Sequence, residues 1–166
     1  MQPPLACHAF GMDADIDLVR SLVAREHGLA TVVTLRASGT AQTSVVNAGV
    51  LDHPVTATPV VAFVARGGTA KLRHLRQRPW CALVFRVGWE WVAVEGAVSL
   101  AGPDDELAGF DSAGVPRLLR DVFTAAGGTH DDFDEYDRVM AAERRTAVLV
   151  QPERITTNPP AAEHVE

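Results

Sequence analysis

The chain has 166 residues, of which 47% are hydrophobic and 22% are charged, and its formal net charge is −6. These values predict one soluble globular domain. The negative net charge disfavours a general nucleic-acid-binding protein, because phosphate contacts need a broad basic surface. No apolar run reaches the roughly 18 residues of a membrane helix, and the amino-terminal sequence lacks a secretory-signal pattern. We therefore expect a cytoplasmic protein without nucleic-acid or membrane partners.

The first half of the chain predicts a helix and three strands. Asp13 or Asp15 can cap the helix, whose apolar residues recur at helical spacing, and Gly28 can end it. β-Branched residues predict two strands on either side of a short turn, and a wholly apolar strand follows Pro54 and Pro59. The predicted strands span residues 29–36, 42–51 and 60–64.

The second half predicts three more helices and three more strands. Thr69 is the predicted N-cap of the first of these helices, and Pro79 ends it, because the residue before a proline is disfavoured in the helical region. Gly88 predicts a turn between the fourth and fifth strands, and a short extension follows the sixth strand beyond Pro152. The predicted elements are helices over 70–77, 116–126 and 131–143 and strands over 81–85, 91–100 and 145–150.

Short connections between these strands predict a mainly β (α+β) fold, a closed six-stranded antiparallel barrel with appended helices. A parallel α/β sheet fits less well, because the turns between the early strands are too short for crossover helices. The predicted domain covers residues 15–158, preceded by an N-terminal extension over 1–14 and followed by a disordered tail over 159–166.

A basic segment spans residues 66–78. It contains no Asp or Glu, and its five cations are Arg66, Lys71, Arg73, Arg76 and Arg78. Because two glycines precede the predicted helix, free backbone N–H groups at its start can bind an anion such as a phosphate. A solvated helix face is the alternative interpretation. The segment is not a nucleotide-binding P-loop, since the Gly-Lys-Ser/Thr ending is absent.

Other polar residues predict neither a metal site nor a catalytic nucleophile. The acidic residues over 130–135 are explained by the helix dipole after a Thr129 cap. Three histidines, His27, His53 and His74, lack metal-ligand spacing, and Ser44 lacks a nucleophile elbow. The two cysteines, Cys7 and Cys81, are expected to be reduced and unrelated. The three tryptophans, Trp80, Trp89 and Trp91, are either core and interface residues or a wall for a planar ring.

Three stretches of sequence, in this order, resemble the flavin-binding split-barrel superfamily of pyridoxamine phosphate oxidase-like proteins. They are TLRASGTAQTSVV over 34–46, GTAKLRHLRQRP over 68–79 and VAVEGAV over 92–98. The stretches AGGTHDDFDEY over 126–136 and PERI over 152–155 resemble the actinobacterial branch that uses the deazaflavin coenzyme F420. The resemblance covers about residues 15–158.

The resemblance implies a split barrel and a homodimer with two cofactor sites at its interface. It places the cofactor ring along the second and third strands and the phosphate at the following helix, where Thr69 and Lys71 would bind it. The implied cofactor-binding residues are Ser44, Val46, Asn47, Val64, Ala65, Arg66, Thr69, Ala70, Lys71 and Trp91.

Two positions depart from the pattern of the FMN oxidases in this superfamily. Ala70 replaces an arginine and so removes a bidentate phosphate contact, and Trp91 replaces a glutamine, although indole cannot accept a hydrogen bond. These departures favour coenzyme F420 over FMN, and the carboxylates of an F420 tail would account for the accompanying arginines. FMN remains the alternative cofactor.

The predicted function is that of an F420-dependent oxidoreductase, which transfers a hydride to an unsaturated small-molecule substrate such as an enone. The cofactor carries the chemistry, no residue is assigned as general acid, and the proton can come from solvent. The alternatives are an FMN-dependent enzyme of the pyridoxamine phosphate oxidase type and a non-catalytic F420- or flavin-binding protein.

Overall fold

The computed structural model describes residues 12–158; the predicted tail, Cys7 and most of the predicted N-terminal extension lie outside them. The strands are β1 Met12–Asp13, β2 Leu29–Leu35, β3 Ala41–Asp52, β4 Pro59–Ala65, β5 Trp80–Val87, β6 Glu90–Ala101 and β7 Thr146–Thr157. The helices are α1 Ile16–Arg25, α2 Ala70–Gln77, α3 Val115–Ala125 and α4 Phe133–Ala142, with a short 3₁₀ helix, Ser112–Gly114, before α3.

Strands β2 to β7 close into the predicted six-stranded antiparallel barrel. Their order is β7, β4, β3, β2, β5, β6, and β6 pairs back with β7. The two residues of β1 extend the sheet by pairing with the end of β7. All of these pairings are antiparallel, so the split-barrel α+β architecture is confirmed. No helix among the described residues is long and apolar enough to cross a membrane.

The barrel interior holds the larger of two apolar cores. Alternate residues of each strand point inward, as the period of two requires, and Val32, Phe63 and Leu83 are fully buried there. Helix α1 packs against this core through its buried apolar face. Asp15, rather than Asp13, caps this helix, since its carboxylate accepts hydrogen bonds from the first-turn N–H groups.

Cys81 lies in the barrel interior with its side chain fully buried, and it is a free thiol. Burial raises the pKa of Cys81 to about 12, and nearby Lys71 offsets only part of this rise. The thiolate is the reactive form of cysteine. Cys81 is therefore an inert structural residue in the folded protein.

Helices α3 and α4 cover the outer face of β4 and β7 and form the second core. Leu119 and Val122 of α3 are 3% and 1% exposed, and they pack over Ala62 and Leu149 of the two strands. Arg120 ties the two helices together, since its guanidinium donates to both carboxylate oxygens of Asp137 at 2.9 and 2.6 Å. We call the surface beneath α3 and α4 the covered face.

Another part of the outer barrel surface remains open to solvent. Strand pairing places the β3 residue Val45 and the β5 residue Val84 on either side of Thr31 in β2, so all three share one face. Val45 is 63% exposed and Leu29, at the start of β2, is 51% exposed. We call the surface formed by Leu29, Thr31, Val33, Val45 and Val84 the bare face.

Two local predictions for the carboxyl-terminal half of the chain differ from the structure. The extension predicted beyond Pro152 belongs to one continuous β7, because a register shift opposite Glu95 and Gly96 accommodates the proline. The predicted Thr129 cap of the last helix is wrong. Asp132 caps α4 instead, accepting 3.0 Å hydrogen bonds from the N–H groups of the first turn.

Candidate functional site

A cavity of about 450 Å³ lies between the outer side of β3 and β4 and the helices α3 and α4. We call it the α3–α4 cavity. Its lining combines apolar side chains with a few polar groups, which is typical of small-molecule sites. The lining residues are His27, Asn47, Val64, Val122, Phe123, Ala126, Gly127, Gly128, Tyr136, Met140 and Arg145.

Two glycines allow the carboxyl end of α3 to approach the barrel and so form one wall of this cavity. A Cβ atom on Gly49 would lie 2.2 Å from the backbone of Ala125. A Cβ atom on Gly28 would lie 2.8 Å from the carbonyl oxygen of Ala126 at the end of α3, and Gly28 has a φ of +69° that favours glycine. Larger residues at these positions would move α3 outward and open the cavity.

Three polar side chains of the cavity, those of Asn47, Tyr136 and Arg145, are held by neighbouring groups. The Asn47 side-chain amide donates a 2.8 Å hydrogen bond to the carbonyl oxygen of His27. The Tyr136 hydroxyl donates to the carbonyl oxygen of Leu119 at 3.2 Å, and burial raises the pKa of Tyr136. The Arg145 guanidinium lies against the Glu143 carboxylate at 2.6 Å.

Glu143 connects this cavity to the basic segment. Arg66 lies on the other side of the Glu143 carboxylate, with its Nε atom 3.7 Å from an oxygen. The hydrogen bond from Arg145, together with the charges of Arg145 and Arg66, holds the pKa of Glu143 below its usual value. The N–H of Gly67 also donates to the backbone carbonyl of Glu143 at 3.0 Å. The loop between β4 and α2 is thus fixed beside the cavity.

The first turn of α2 contains no acidic residue, and no side chain caps it. Thr69 occupies the predicted N-cap position, but its hydroxyl donates to the carbonyl oxygen of Arg66 at 2.9 Å instead of capping the helix. The Lys71 ammonium lies 5.3 Å from the centre of the Phe63 ring, and no carboxylate within residues 12–158 pairs with it. Burial lowers the pKa of Lys71, and Cys81 opposes this effect.

The other cations of the basic segment differ in their surroundings. Arg76 donates two 2.8 Å hydrogen bonds to Asp105, whose side chain is only 8% exposed. Arg78 donates to the carbonyl oxygen of Ala37 at 3.0 Å. Arg73 is exposed, and its guanidinium has no partner in the described part of the chain. The five cations therefore do not form one uniform anion site, because residues distant in sequence contact three of them, Arg66, Arg76 and Arg78.

Comparison of the sequence with protein families matches residues 17–158 to the pyridoxamine 5′-phosphate oxidase family. The chain belongs to this family. The pyridoxamine 5′-phosphate oxidase family includes oxidoreductases and flavin-binding proteins.

Solved structures share this family's fold with the chain. A conserved hypothetical protein of Mycobacterium tuberculosis is 14% identical, with a TM-score of 0.63 over 90% of this chain and 88% of its own. An F420 reductase is 16% identical, with a TM-score of 0.55 over 82% and 94%. An FMN-binding, pyridoxamine 5′-phosphate oxidase-related protein of Nostoc punctiforme is 13% identical, with a TM-score of 0.53 over 83% and 78%. At sequence identities this low, the structural likeness shows a common fold and nothing further.

Among the residues expected to contact the cofactor ring in this family member, Asn47 and Val64 line the α3–α4 cavity. Ser44 and Val46 lie on the opposite, inward side of β3, where strand pairing places them beside interior residues of β2. Ala65 also faces the interior and is 5% exposed. These three side chains therefore do not share a surface with Asn47 and Val64.

The remaining predicted residues do not line the α3–α4 cavity. Arg66 and Thr69 belong to the loop before α2, and Ala70 and Lys71 form its first turn. Trp91 is on β6, where it pairs with Arg86 at the end of a hairpin, and it does not line the cavity.

Sequence reasoning missed several residues of the cavity wall. They are Phe123, Tyr136 and Met140 of the covering helices and Arg145 of the segment before β7. Tyr136 ends the AGGTHDDFDEY stretch that carries the family resemblance, so this stretch could have indicated it. His27 follows α1, and no local motif distinguishes it.

Proposed function

We propose that this chain is an oxidoreductase that uses coenzyme F420 to transfer a hydride to an unsaturated small molecule such as an enone. The proposal depends on one observation: Glu143 links Arg145 of the α3–α4 cavity to Arg66 in the loop before α2, and the first turn of α2 has neither an acidic residue nor a side-chain cap. We also place the protein in the cytoplasm.

The residues present fit the two ends of a deazaflavin nucleotide. The cavity volume of about 450 Å³ is in the ordinary range for ligand sites. Its apolar wall includes Val64 and Phe123, which suit a planar ring, and the Asn47 amide suits the polar edge of that ring. The uncapped N–H groups of α2, together with Lys71, suit a phosphate.

The surroundings of Lys71 favour an anionic ligand. Burial lowers the pKa of Lys71 because the charged ammonium is only partly solvated. A bound phosphate would replace the missing solvation with a charge-assisted hydrogen bond. Arg73, exposed two residues further along α2, can meet the carboxylates of a longer tail.

In this proposal the deazaflavin supplies the hydride when it is bound. The chain binds the phosphate at α2 and orients the ring beside Asn47 and Val64, while α3 and α4 exclude water from one side. The Arg145 guanidinium, held by Glu143, provides a fixed positive charge in the same cavity. Such preorganised charge favours a transition state in which negative charge develops on the substrate.

We further propose a homodimer in which the bare face contacts a second copy of the chain. Val45 and Leu29 expose more than half of their surface there, and neighbouring strands add half-buried apolar residues. A second copy would remove this apolar surface from water, which stabilises the association by roughly 25 cal/mol per Å² buried.

The direct test is a parallel titration of the purified protein with F420 and FMN, following tryptophan fluorescence. We expect F420 to bind more tightly than FMN, and reduced F420 to be oxidised when 2-cyclohexen-1-one or another conjugated acceptor is added. Tighter FMN binding would instead favour the FMN-dependent enzyme. F420 binding without turnover against a panel of acceptors would indicate a non-catalytic binding protein.

Lys71→Ala tests the phosphate assignment within the same titration. We expect the Kd for F420 to rise at least tenfold, about 1.4 kcal/mol, with an unchanged circular dichroism spectrum. Arg78→Ala is the matched control. It removes a cation from the same basic segment, but the Arg78 guanidinium already donates a hydrogen bond to the Ala37 carbonyl, so the Kd for F420 should change little. An unchanged Kd in Lys71→Ala would contradict the assignment.

A further inference from the structure

His27 has a distinct position among the ionisable groups that line the α3–α4 cavity, which in the described chain are His27, Tyr136 and Arg145. The Tyr136 hydroxyl is bonded to the Leu119 carbonyl, and the pKa of Tyr136 is raised by burial. Arg145 is paired with Glu143, and an arginine does not lose its proton in proteins. An imidazole is the side chain that exchanges a proton near neutral pH.

We propose that His27 is the proton donor of the reaction, delivering to the substrate the proton that accompanies the hydride. This inference rests on the proposed function and extends it to a named catalytic residue. The imidazole of His27 has no hydrogen bond or ion pair with any residue in the described range, so its ring nitrogens are available to a ligand. The residue is exposed, so solvent can return the proton after each turnover.

The backbone around His27 is held in place. His27 has a φ of +49°, and its carbonyl oxygen accepts the 2.8 Å hydrogen bond from Asn47. The following Gly28 donates to the Val23 carbonyl at 3.0 Å. The Nδ1 atom of His27 lies 3.7 Å from the position a Cβ atom would occupy on Gly127. The imidazole therefore stands at the turn after α3, on the rim of the cavity.

Charged groups surround this position from three elements. Arg20 of α1 lines a smaller neighbouring cavity together with His27, Glu26 precedes it in the chain, and Arg145 of the segment before β7 shares the main cavity. Asn47, which would lie beside the cofactor ring, bonds directly to the His27 backbone. His27 is thus next to the place where a substrate stacked on that ring would lie.

The reaction consumes one proton for each hydride, and His27 would supply it. Hydride addition to the β-carbon of an enone breaks the C=C π bond and moves its electron pair toward the carbonyl oxygen, forming an enolate. Protonation of the α-carbon by the His27 imidazolium completes a two-electron reduction of the substrate. The hydride, which carries both electrons, would come from the bound reduced deazaflavin, and the proton lost by His27 would be replaced from water.

Steady-state kinetics of three variants test the role of His27. His27→Asn introduces a residue that tolerates positive φ but cannot act as an acid. We expect kcat for 2-cyclohexen-1-one to fall by about 100-fold in this variant, while the Kd for F420 stays unchanged. In His27→Gly, added imidazole should restore part of kcat. His130→Gln, a histidine outside the cavity lining, should keep wild-type kcat. Equal kcat in wild type and His27→Asn would overturn the assignment.

A second measurement needs neither cofactor nor turnover. We titrate the cofactor-free protein with 4-nitrophenolate, an oxyanion that mimics the enolate, and follow the histidine ring signals by NMR. The signal missing from the His27→Asn spectrum should shift on titration in the wild type, whereas absence of a shift would contradict the proposal. If wild type fails to use F420 but this signal still shifts, the cofactor assignment has failed and His27 remains an oxyanion-binding group.

Discussion

The covered face and the bare face lie on the same barrel and carry similar apolar residues, yet their surroundings differ. On the covered face, Ala62 and Leu149 are almost completely buried beneath α3 and α4. On the bare face, Val45 is 63% and Leu29 is 51% exposed. The difference arises because the segment between β6 and β7 returns over only one side of the barrel. One apolar surface is therefore covered within the chain, whereas the other stays exposed and is the surface that the proposed homodimer would cover.

The α3–α4 cavity also exists because α3 and α4 cover only one side of the barrel. It forms where the covering helices separate from β3 and β4, at the Gly127 and Gly128 turn. Predictions about the covered face therefore concern folding stability, whereas predictions about the bare face concern association. Three variants separate these two roles, and they are given in order of decreasing effect.

Leu119→Ala should have the largest effect, because it removes a side chain that is 3% exposed at the centre of the covered face. Large-to-small changes of this kind lower the free energy of unfolding by about 2–5 kcal/mol. Urea denaturation followed by circular dichroism measures the change. Val139→Ala on α4, where the side chain is 44% exposed, is the control and should change stability little. A similar loss in both variants would mean that the covered face is not a distinct core.

Val45→Asp should leave the monomer folded but weaken association. A carboxylate at the proposed interface would lose its hydration without gaining a partner, so we expect the dimer Kd to rise at least tenfold, about 1.4 kcal/mol. Light scattering after size-exclusion chromatography measures the molar mass across a dilution series. Val139→Asp introduces the same charge on the outer side of α4 and should preserve the dimer. Dimers of unchanged stability in Val45→Asp would place the interface elsewhere.

Asp137→Asn should have the smallest effect, which is a change in the pH dependence of the free energy of unfolding. The hydrogen bond from Arg120 holds the pKa of Asp137 below its ordinary value of 3.8. The stabilisation from ionised Asp137 is therefore present above that value and lost as the pH falls through the lower, folded-state pKa. Pairs this exposed contribute at most about 1 kcal/mol.

Urea midpoints measured at about pH 7 and about pH 3 test this linkage. The wild type should lose more stability between the two conditions than Asp137→Asn does. Asp121→Asn is the control, because Asp121 pairs with Arg117 within α3 and does not join the two helices. Identical pH dependence in wild type and Asp137→Asn would show that the Arg120 pair does not secure the covered face.

Much of the secondary structure was predictable because its signals are local. Helix α2 has the expected bounds, Ala70–Gln77, since glycines precede it and Pro79 follows it. The hairpin at Gly88 also appears as expected, with a φ of +61° that suits glycine. The cap of α4 was assigned to Thr129 instead of Asp132, because several residues in that stretch can cap a helix and only the backbone path distinguishes them.

The candidate site was less predictable because it depends on contacts between distant segments. Arg76 is part of a cationic run in the sequence, but Asp105 from the loop after β6 binds it. Val46 and Asn47 are neighbours in the chain, yet the alternation of a strand places them on opposite sides of the barrel wall. His27 gives no local signal, since its role in the proposal depends on the cavity that α3 and α4 create.

The sequence by itself determined the barrel, the order of its elements and the family, because periodicity, turn residues and motif order are properties of neighbouring residues. The tertiary structure decided which side chains line the cavity, which cations remain without a carboxylate, and which apolar face stays exposed. These features depend on where α3 and α4 pack. That packing is set by close contacts such as that between Gly49 and the Ala125 backbone, which join segments far apart in the chain.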